Sequence, residues 1–86
     1  MELEINKELV LSTAHIREVT AKALEQSSAG ISCDVYEYGF RIHVSKYVTP
    51  YEELNYLLNL AKSHECKWLV LDQDAETYFT LPQYEW

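Results

Sequence analysis

Basic side chains are scarce in this chain: seven Lys and Arg stand against fourteen Asp and Glu, a formal charge of −7. The average surface therefore repels phosphate and anionic lipid headgroups, and no direct nucleic-acid binding and no membrane association are expected. Glycine and proline are nearly as rare, two of each in 86 residues, which excludes collagen-like and low-complexity chains. No apolar run approaches the roughly 20 residues of a membrane span. The opening Met1-Glu2-Leu3-Glu4 lacks the basic start of a secretory signal, so a cytoplasmic protein is expected. There are only two cysteines, Cys33 and Cys66, and they fit no paired metal motif. In an unexported chain they read as reduced, small hydrophobes with no disulfide between them.

What is present is the composition of a globular domain, 48% hydrophobic and 24% charged. Eighty-six residues suffice for one core, so residues 1–86 are read as a single domain. Typical values put its stability at roughly 4 to 13 kcal/mol, and a single core substitution can remove much of that.

Leu9-Val10-Leu11 is a short apolar run suited to a first core strand. Ser12 or Thr13 can cap a helix beginning there, since a hydroxyl at that position accepts an unpaired backbone N–H. Over residues 14–27 the spacing of Ile16, Val19, Ala23 and Leu24 predicts a helix with those four inward and a Glu18–Lys22 pair outside. Gly30 is the expected left-handed stop. Residues 31–38 are rich in β-branched and aromatic types, Gly39 interrupts them, and Phe40 to Val44 alternates strictly. This predicts a hairpin with Phe40, Ile42 and Val44 toward the helices and Arg41 and His43 on the other face. Thr49-Pro50-Tyr51-Glu52 has the form of a capping box with proline at the first helical position. Leu54, Leu57, Leu58 and Ala61 then mark the buried stripe of a second helix ending near His64. Trp68-Leu69-Val70-Leu71 is a last strand, apolar enough to lie inside a sheet, and Asp72-Gln73-Asp74 ends it.

The order βαββαβ predicts an α+β fold, a ferredoxin-like two-layer sandwich with strand order 4-1-3-2. In it two helices cover one face of an antiparallel sheet, and Cys33 and Cys66 fall on opposite edge strands. Because the first strand is short, a three-stranded variant is the alternative. Residues 73–86, with Tyr78, Phe79, Leu81, Tyr84 and Trp86 and no basic residue, form an aromatic C-terminal tail expected to pack on the body.

Three stretches carry a resemblance: Leu11-Ser12-Thr13-Ala14-His15-Ile16, Tyr36-Glu37-Tyr38-Gly39-Phe40, and Leu81-Pro82-Gln83-Tyr84-Glu85-Trp86. Together they resemble a family of small uncharacterised bacterial proteins, a domain of unknown function carried on plasmids, integrative elements and phages. The resemblance implies no activity. It implies only a genomic setting, one that includes anti-restriction genes.

Several constellations are weighed on their own chemistry. Ser12, Thr13 and His15 sit where a helix start could hold an anion or ligand, although no glycine-rich loop precedes them to wrap a phosphate; simple capping and packing is the plainer reading. Asp72, Asp74 and Glu76 stand where hard-metal carboxylates are often placed, yet a dedicated site recruits more oxygen ligands, so no metal and no cofactor is assigned. His64-Glu65-Cys66 offers too few soft ligands for zinc. Neither cysteine and no serine lies in a local nucleophile signature, so no catalytic residue is assigned. Phe40 on the third strand invites comparison with RNA-recognition folds, but a Phe40 facing the helices cannot stack on bases.

The aromatic set Tyr36, Tyr38, Tyr78, Tyr84 and Trp86 fits either tail-on-core packing or an interface. With Asp72, Asp74, Glu76 and Glu85 around it, it would make a protein-binding surface. The expected function is a non-enzymatic protein-binding accessory protein of a bacterial mobile element, an acidic inhibitor of a host defence protein. Two alternatives stand beside it. One is a small-ligand or metal-dependent enzyme using Asp72, Asp74 and His15 or His43. The other is a structural homodimer pairing through the edge strand 31–38.

Overall fold

The computed structural model describes residues 3, 7–26, 33–44 and 48–86. Among these, strand β1 (Glu8–Ser12) leads through a 3-10 turn (Thr13–His15) to helix α1 (Glu18–Glu25). The hairpin strands β2 (Cys33–Tyr36) and β3 (Gly39–His43) come next, then helix α2 (Glu52–Ser63) and strand β4 (Trp68–Asp72). The expected Gly30 stop and residues 31 and 32 of the second strand lie outside the described residues.

The chain is a small α+β fold with a four-stranded mixed sheet and two helices, but the strand order is β1-β4-β3-β2. The predicted 4-1-3-2 order is corrected, and so are the wholly antiparallel sheet and the three-stranded alternative. β1 pairs parallel with β4, while β3 pairs antiparallel with both β4 and β2. The physical reason lies in the faces of the two strands that change places. β4 is apolar on both sides, with Leu69 and Leu71 buried and Trp68 and Val70 half-buried, whereas Glu8 and Val10 on the outer side of β1 are exposed. The strand apolar on both faces takes the interior position and the half-polar strand takes the edge. Cys66 precedes this interior strand, so the cysteines are not on opposite edges; both are free thiols.

The hairpin faces are as its alternation predicts. Phe40 and Ile42 are buried, Val44 packs partly against the core, and Arg41 and His43 lie on the other face. There Arg41 donates to Glu8 at 2.9 Å across β4 and stacks on Trp68 at 3.7 Å, with the His43 ring edge-on to Trp68 at 5.0 Å. Gly39 does not break the strand as expected. It opens β3 and pairs with both Tyr36 and Asp72, the turn being Glu37 and Tyr38.

The first helix departs most from its predicted course. Ser12 Oγ does accept the Ala14 N–H, at 3.1 Å, but the turn it caps is the short 3-10 segment. Ile16 and Arg17 then adopt extended backbone, with ψ of 159° at both, and α1 starts only at Glu18. This two-residue step shifts the helical phase. Thr20, Ala21, Ala23 and Leu24 face inward, and Val19, expected inside, is 57% exposed. Ile16 is still buried, from the extended step rather than from a helix. The Glu18–Lys22 pair forms at 3.2 Å.

The second helix has the predicted stripe of Leu54, Leu57, Leu58 and Ala61, all buried. The expected box with proline at the first helical position does not form: the helix starts at Glu52, Tyr51 is its N-cap and has no side-chain cap bond, and Pro50 lies before it. Thr49 Oγ1 accepts the Tyr51 N–H at 3.1 Å, but the Thr49 N–H donates to Asn55 Oδ1 at 2.8 Å, and Asn55 returns a bond to the Thr49 carbonyl at 2.8 Å. Asn55 thus does what Glu52 was expected to do. Thr49 is buried, so its backbone N–H and C=O must find partners inside the protein, and a carboxamide supplies both a donor and an acceptor where a carboxylate supplies only acceptors.

The C-terminus of α2 closes with the Cys66 N–H on Ala61 O at 2.9 Å and the Glu65 N–H on Lys62 O at 3.0 Å. This closure puts Glu65 in the left-handed region, φ 60°, where glycine is favoured. Glu65→Gly is therefore expected to stabilise the fold by about 1 kcal/mol, raising the melting temperature by roughly 4 to 8 °C in a scanning calorimeter.

Ala21, Ala23 and Leu24 of α1 and Leu54, Leu57 and Leu58 of α2 join Leu11, Ile16, Phe40, Ile42, Leu69 and Leu71 in one hydrophobic cluster. Both helices therefore lie over the same sheet face. No described helix is long and apolar enough to cross a membrane.

Candidate functional site

A cleft of about 410 Å³ opens beside the 3-10 turn. One wall is the hairpin turn with Tyr36, Glu37 and Tyr38; the other holds Tyr84 and Trp86 from the chain end. Ser12, Thr13 and Ala14 line it, and Glu25 contributes from the end of α1. Among the described residues no Lys, Arg or His lines it. Its size lies within the roughly 300 to 1,000 Å³ of ordinary ligand clefts.

The walls are held by backbone bonds from short, irregular segments. Residues 73–86 contain no helix or strand, so their position depends on contacts elsewhere. The Tyr84 N–H donates to Ala14 O at 2.8 Å and the Trp86 indole N–H to Ile16 O at 2.9 Å. Leu81 packs on the core cluster. The Gln73 N–H donates to Tyr38 O at 2.8 Å, which ties the hairpin turn to the exit of β4.

His15, 1% exposed, ties the last segment down a second time. Its Nε2 accepts the Tyr78 N–H at 3.1 Å and its Nδ1 lies 2.8 Å from Pro82 O. An N–H facing one nitrogen and a carbonyl facing the other require a ring that accepts at Nε2 and donates from Nδ1, which is one neutral tautomer. The Tyr78 ring stacks over it at 6.3 Å.

The predicted site residues are split between the cleft and these tail contacts. Ser12 and Thr13 reach the cleft, although Ser12 Oγ already accepts from Ala14; His15 is turned away toward the tail. Tyr84 and Trp86 line the cleft, and Tyr78 does not. Asp72 is half-buried and engaged: Oδ2 accepts from the Tyr36 hydroxyl at 3.2 Å and Oδ1 from the Asp74 N–H at 2.8 Å. Burial, and after it the bond to Asp72, raises the Tyr36 phenol above its ordinary range. Asp74, Glu76 and Glu85 are exposed. Among the described residues no group of three or more His, Cys, Asp and Glu is placed to hold a metal ion.

Sequence reading missed Glu25 and Glu37 as cleft residues, because both are ordinary surface positions until the chain end lies opposite them. It also missed a smaller cleft of about 210 Å³ on the other side of Tyr84. There Arg17 sits over the Tyr84 ring at 5.3 Å and pairs with Glu53 at 3.4 Å, while Thr20 donates to the same carboxylate at 2.7 Å.

Cys33, half-buried on the edge strand, has its thiol pushed up to about 11, first by burial and then by the neighbouring Asp34 carboxylate. The folded thiol therefore holds its proton through the pH range where the unfolded one, near 9.0, loses it. The associated stability is complete below about pH 9 and is lost as pH rises through about 11. Iodoacetamide should accordingly label Cys33 slowly at pH 8, with a rate still climbing between about pH 9 and 11, as read by intact-mass kinetics.

The chain belongs to the family of unknown function DUF5983, whose C-terminal domain matches residues 8–86. No curated protein and no solved structure matches it.

Proposed function

We propose that this chain is a non-enzymatic protein-binding module, an accessory protein of a bacterial mobile element that binds and blocks a host defence protein. The observation that carries this reading is the cleft, where four Tyr and Trp rings converge without a basic side chain among the described lining residues. Tyr and Trp are the residues most often found as interface anchors, because a large apolar ring ends in a polar group that tolerates water. Against catalysis, both nitrogens of His15 are taken by backbone groups, and the Cys33 thiol is held protonated. A nucleophile is activated by an adjacent base, a lowered pKa or a metal, and neither His15 nor Cys33 offers the first two.

The charge of −7 supports the choice of partner. A protein that grips DNA presents a basic groove, and carboxylates can compete for it in a salt-sensitive way. The mobile-element setting is the one implied by the sequence resemblance, and it makes restriction and CRISPR effectors the first candidates.

The test is co-expression with such effectors, scored by plasmid transformation, together with direct binding of the purified proteins. Protection by the wild-type chain should be reduced by Trp86→Ala or Tyr38→Ala, and by reversing Asp72, Asp74 and Glu76 to Lys. If no restriction or CRISPR effector is bound or inhibited and these variants are silent in cells, the reading is wrong.

A further inference from the structure

We infer that the aromatic cleft is a receptor for an arginine side chain of the partner protein. This inference rests on the protein-binding reading above and specifies what that site recognises. Tyr36, Tyr38, Tyr84 and Trp86 bring four aromatic rings to its lining, and Glu25 and Glu37 bring negative charge to it. A cation over an aromatic face is attracted by the ring quadrupole, and carboxylates nearby reinforce it. An anionic group entering the same cleft would meet two like charges.

The domain's own arginines show the same preference twice. It has two, Arg17 and Arg41. Arg17 stacks on Tyr84 and pairs with Glu53; Arg41 stacks on Trp68 and pairs with Glu8. Each is thus held by one aromatic ring and one glutamate. The cleft offers the same two elements in greater number, with no guanidinium of its own among its lining residues. Tyr84 belongs to both clefts, so the ring that carries Arg17 in the smaller one also lines the larger. The guanidinium is preferred to an ammonium because it is planar, stacks on rings and is less strongly hydrated.

The experiment is a titration of the full ¹⁵N-labelled chain with three capped tripeptides, acetyl-Gly-X-Gly-amide with X as arginine, lysine or citrulline. Citrulline keeps the planar shape and lacks the charge. The arginine peptide should shift the amides of the Tyr36 to Gly39 turn and of Tyr84, and the Trp86 indole. It should bind about fivefold more tightly than the citrulline peptide, with lysine between them. Replacing Glu25 and Glu37 together by Gln should cancel most of that preference while the melting temperature stays put.

Equal binding of arginine and citrulline would overturn the recognition of a cation yet leave the cleft as a protein site. Shifts confined to the Asp72 to Glu76 segment would place the arginine elsewhere and overturn the inference too. So would silence from all three peptides up to roughly 10 mM, the weak limit of a single-side-chain contact. If, in addition, Trp86→Ala leaves protection from effectors unchanged, the protein-binding reading of the cleft also falls.

Discussion

Gly39→Ala is expected to remove a large share of this domain's stability. Gly39 faces the backbone of β4. A Cβ built on it would overlap the Leu71 carbonyl oxygen, with Leu71 C at 2.8 Å and Asp72 Cα at 3.1 Å. These are backbone atoms of the central strand, so no side chain can swing aside to make room. The conflict can be relieved only by separating β3 from β4 at the Gly39–Asp72 pair, next to the buried Phe40–Leu71 pair. Overpacking against backbone costs on the order of 3 kcal/mol or more. Against a total of roughly 4 to 13 kcal/mol that is a large share. Urea unfolding monitored by circular dichroism should show the midpoint collapse, while the neighbouring Tyr38→Ala, at an exposed turn position, stays near wild type. A Gly39→Ala midpoint equal to that of wild type would mean that the strands do not approach this closely.

His15→Ala should produce the second large effect, of a different kind. The side chain is buried, and its two nitrogens satisfy the Tyr78 N–H and the Pro82 carbonyl. Truncation leaves both backbone groups unpaired and opens a space under the Tyr78 ring. Together these losses cost about 2 to 4 kcal/mol. The loss falls first on residues 78–86, because their place is set by a few hydrogen bonds and by Leu81 rather than by a sheet or helix of their own. Hydrogen exchange should report it directly. The Tyr84 amide and the Trp86 indole N–H should lose protection, while Leu69 and Leu71 in the central strand lose only what the global stability loses. The cleft loses one wall at the same time, so arginine-peptide binding should weaken even where the remaining fold is intact. His15→Phe fills the space without the hydrogen bonds, and should recover packing but not the exchange protection.

Much of the local structure was legible because it derives from periodicity. The stripe Leu54, Leu57, Leu58, Ala61 defines one face of a helix, and Phe40-Arg41-Ile42 defines the two faces of a strand. Val19 shows where that logic fails. Its spacing from Ile16 is helical, but Ile16 and Arg17 are extended, and nothing in the pattern reveals a shift in phase. His15, buried in the turn before them, bonds to Pro82 and Tyr78, partners more than sixty positions away. Asn55 likewise took the capping role of Glu52 because a buried Thr49 requires a donor and an acceptor together, a requirement that appears only once burial is known.

The candidate site was legible by residue type and not by membership. The aromatic set was evident in the sequence, and Tyr36, Tyr38, Tyr84 and Trp86 do meet at one cleft. That Tyr78 would lie on His15 instead, that Asp72 would turn to Tyr36, and that Glu25 and Glu37 would complete the lining depended on where the last segment comes to rest.

By itself the amino-acid order determined which face of each strand and helix is apolar, how many such elements one core can hold, and that negative charge remains outside. These are properties of neighbours a few positions apart, and the period of the backbone translates them directly. The tertiary structure decided that β4 lies inside and β1 at the edge, and it brought the chain end against the 3-10 turn. Those outcomes compare segments distant in sequence for the same place in the sheet and the same buried hydrogen-bond partners. Such a comparison is settled by how much apolar surface each arrangement covers, a quantity that no single stretch of the chain contains.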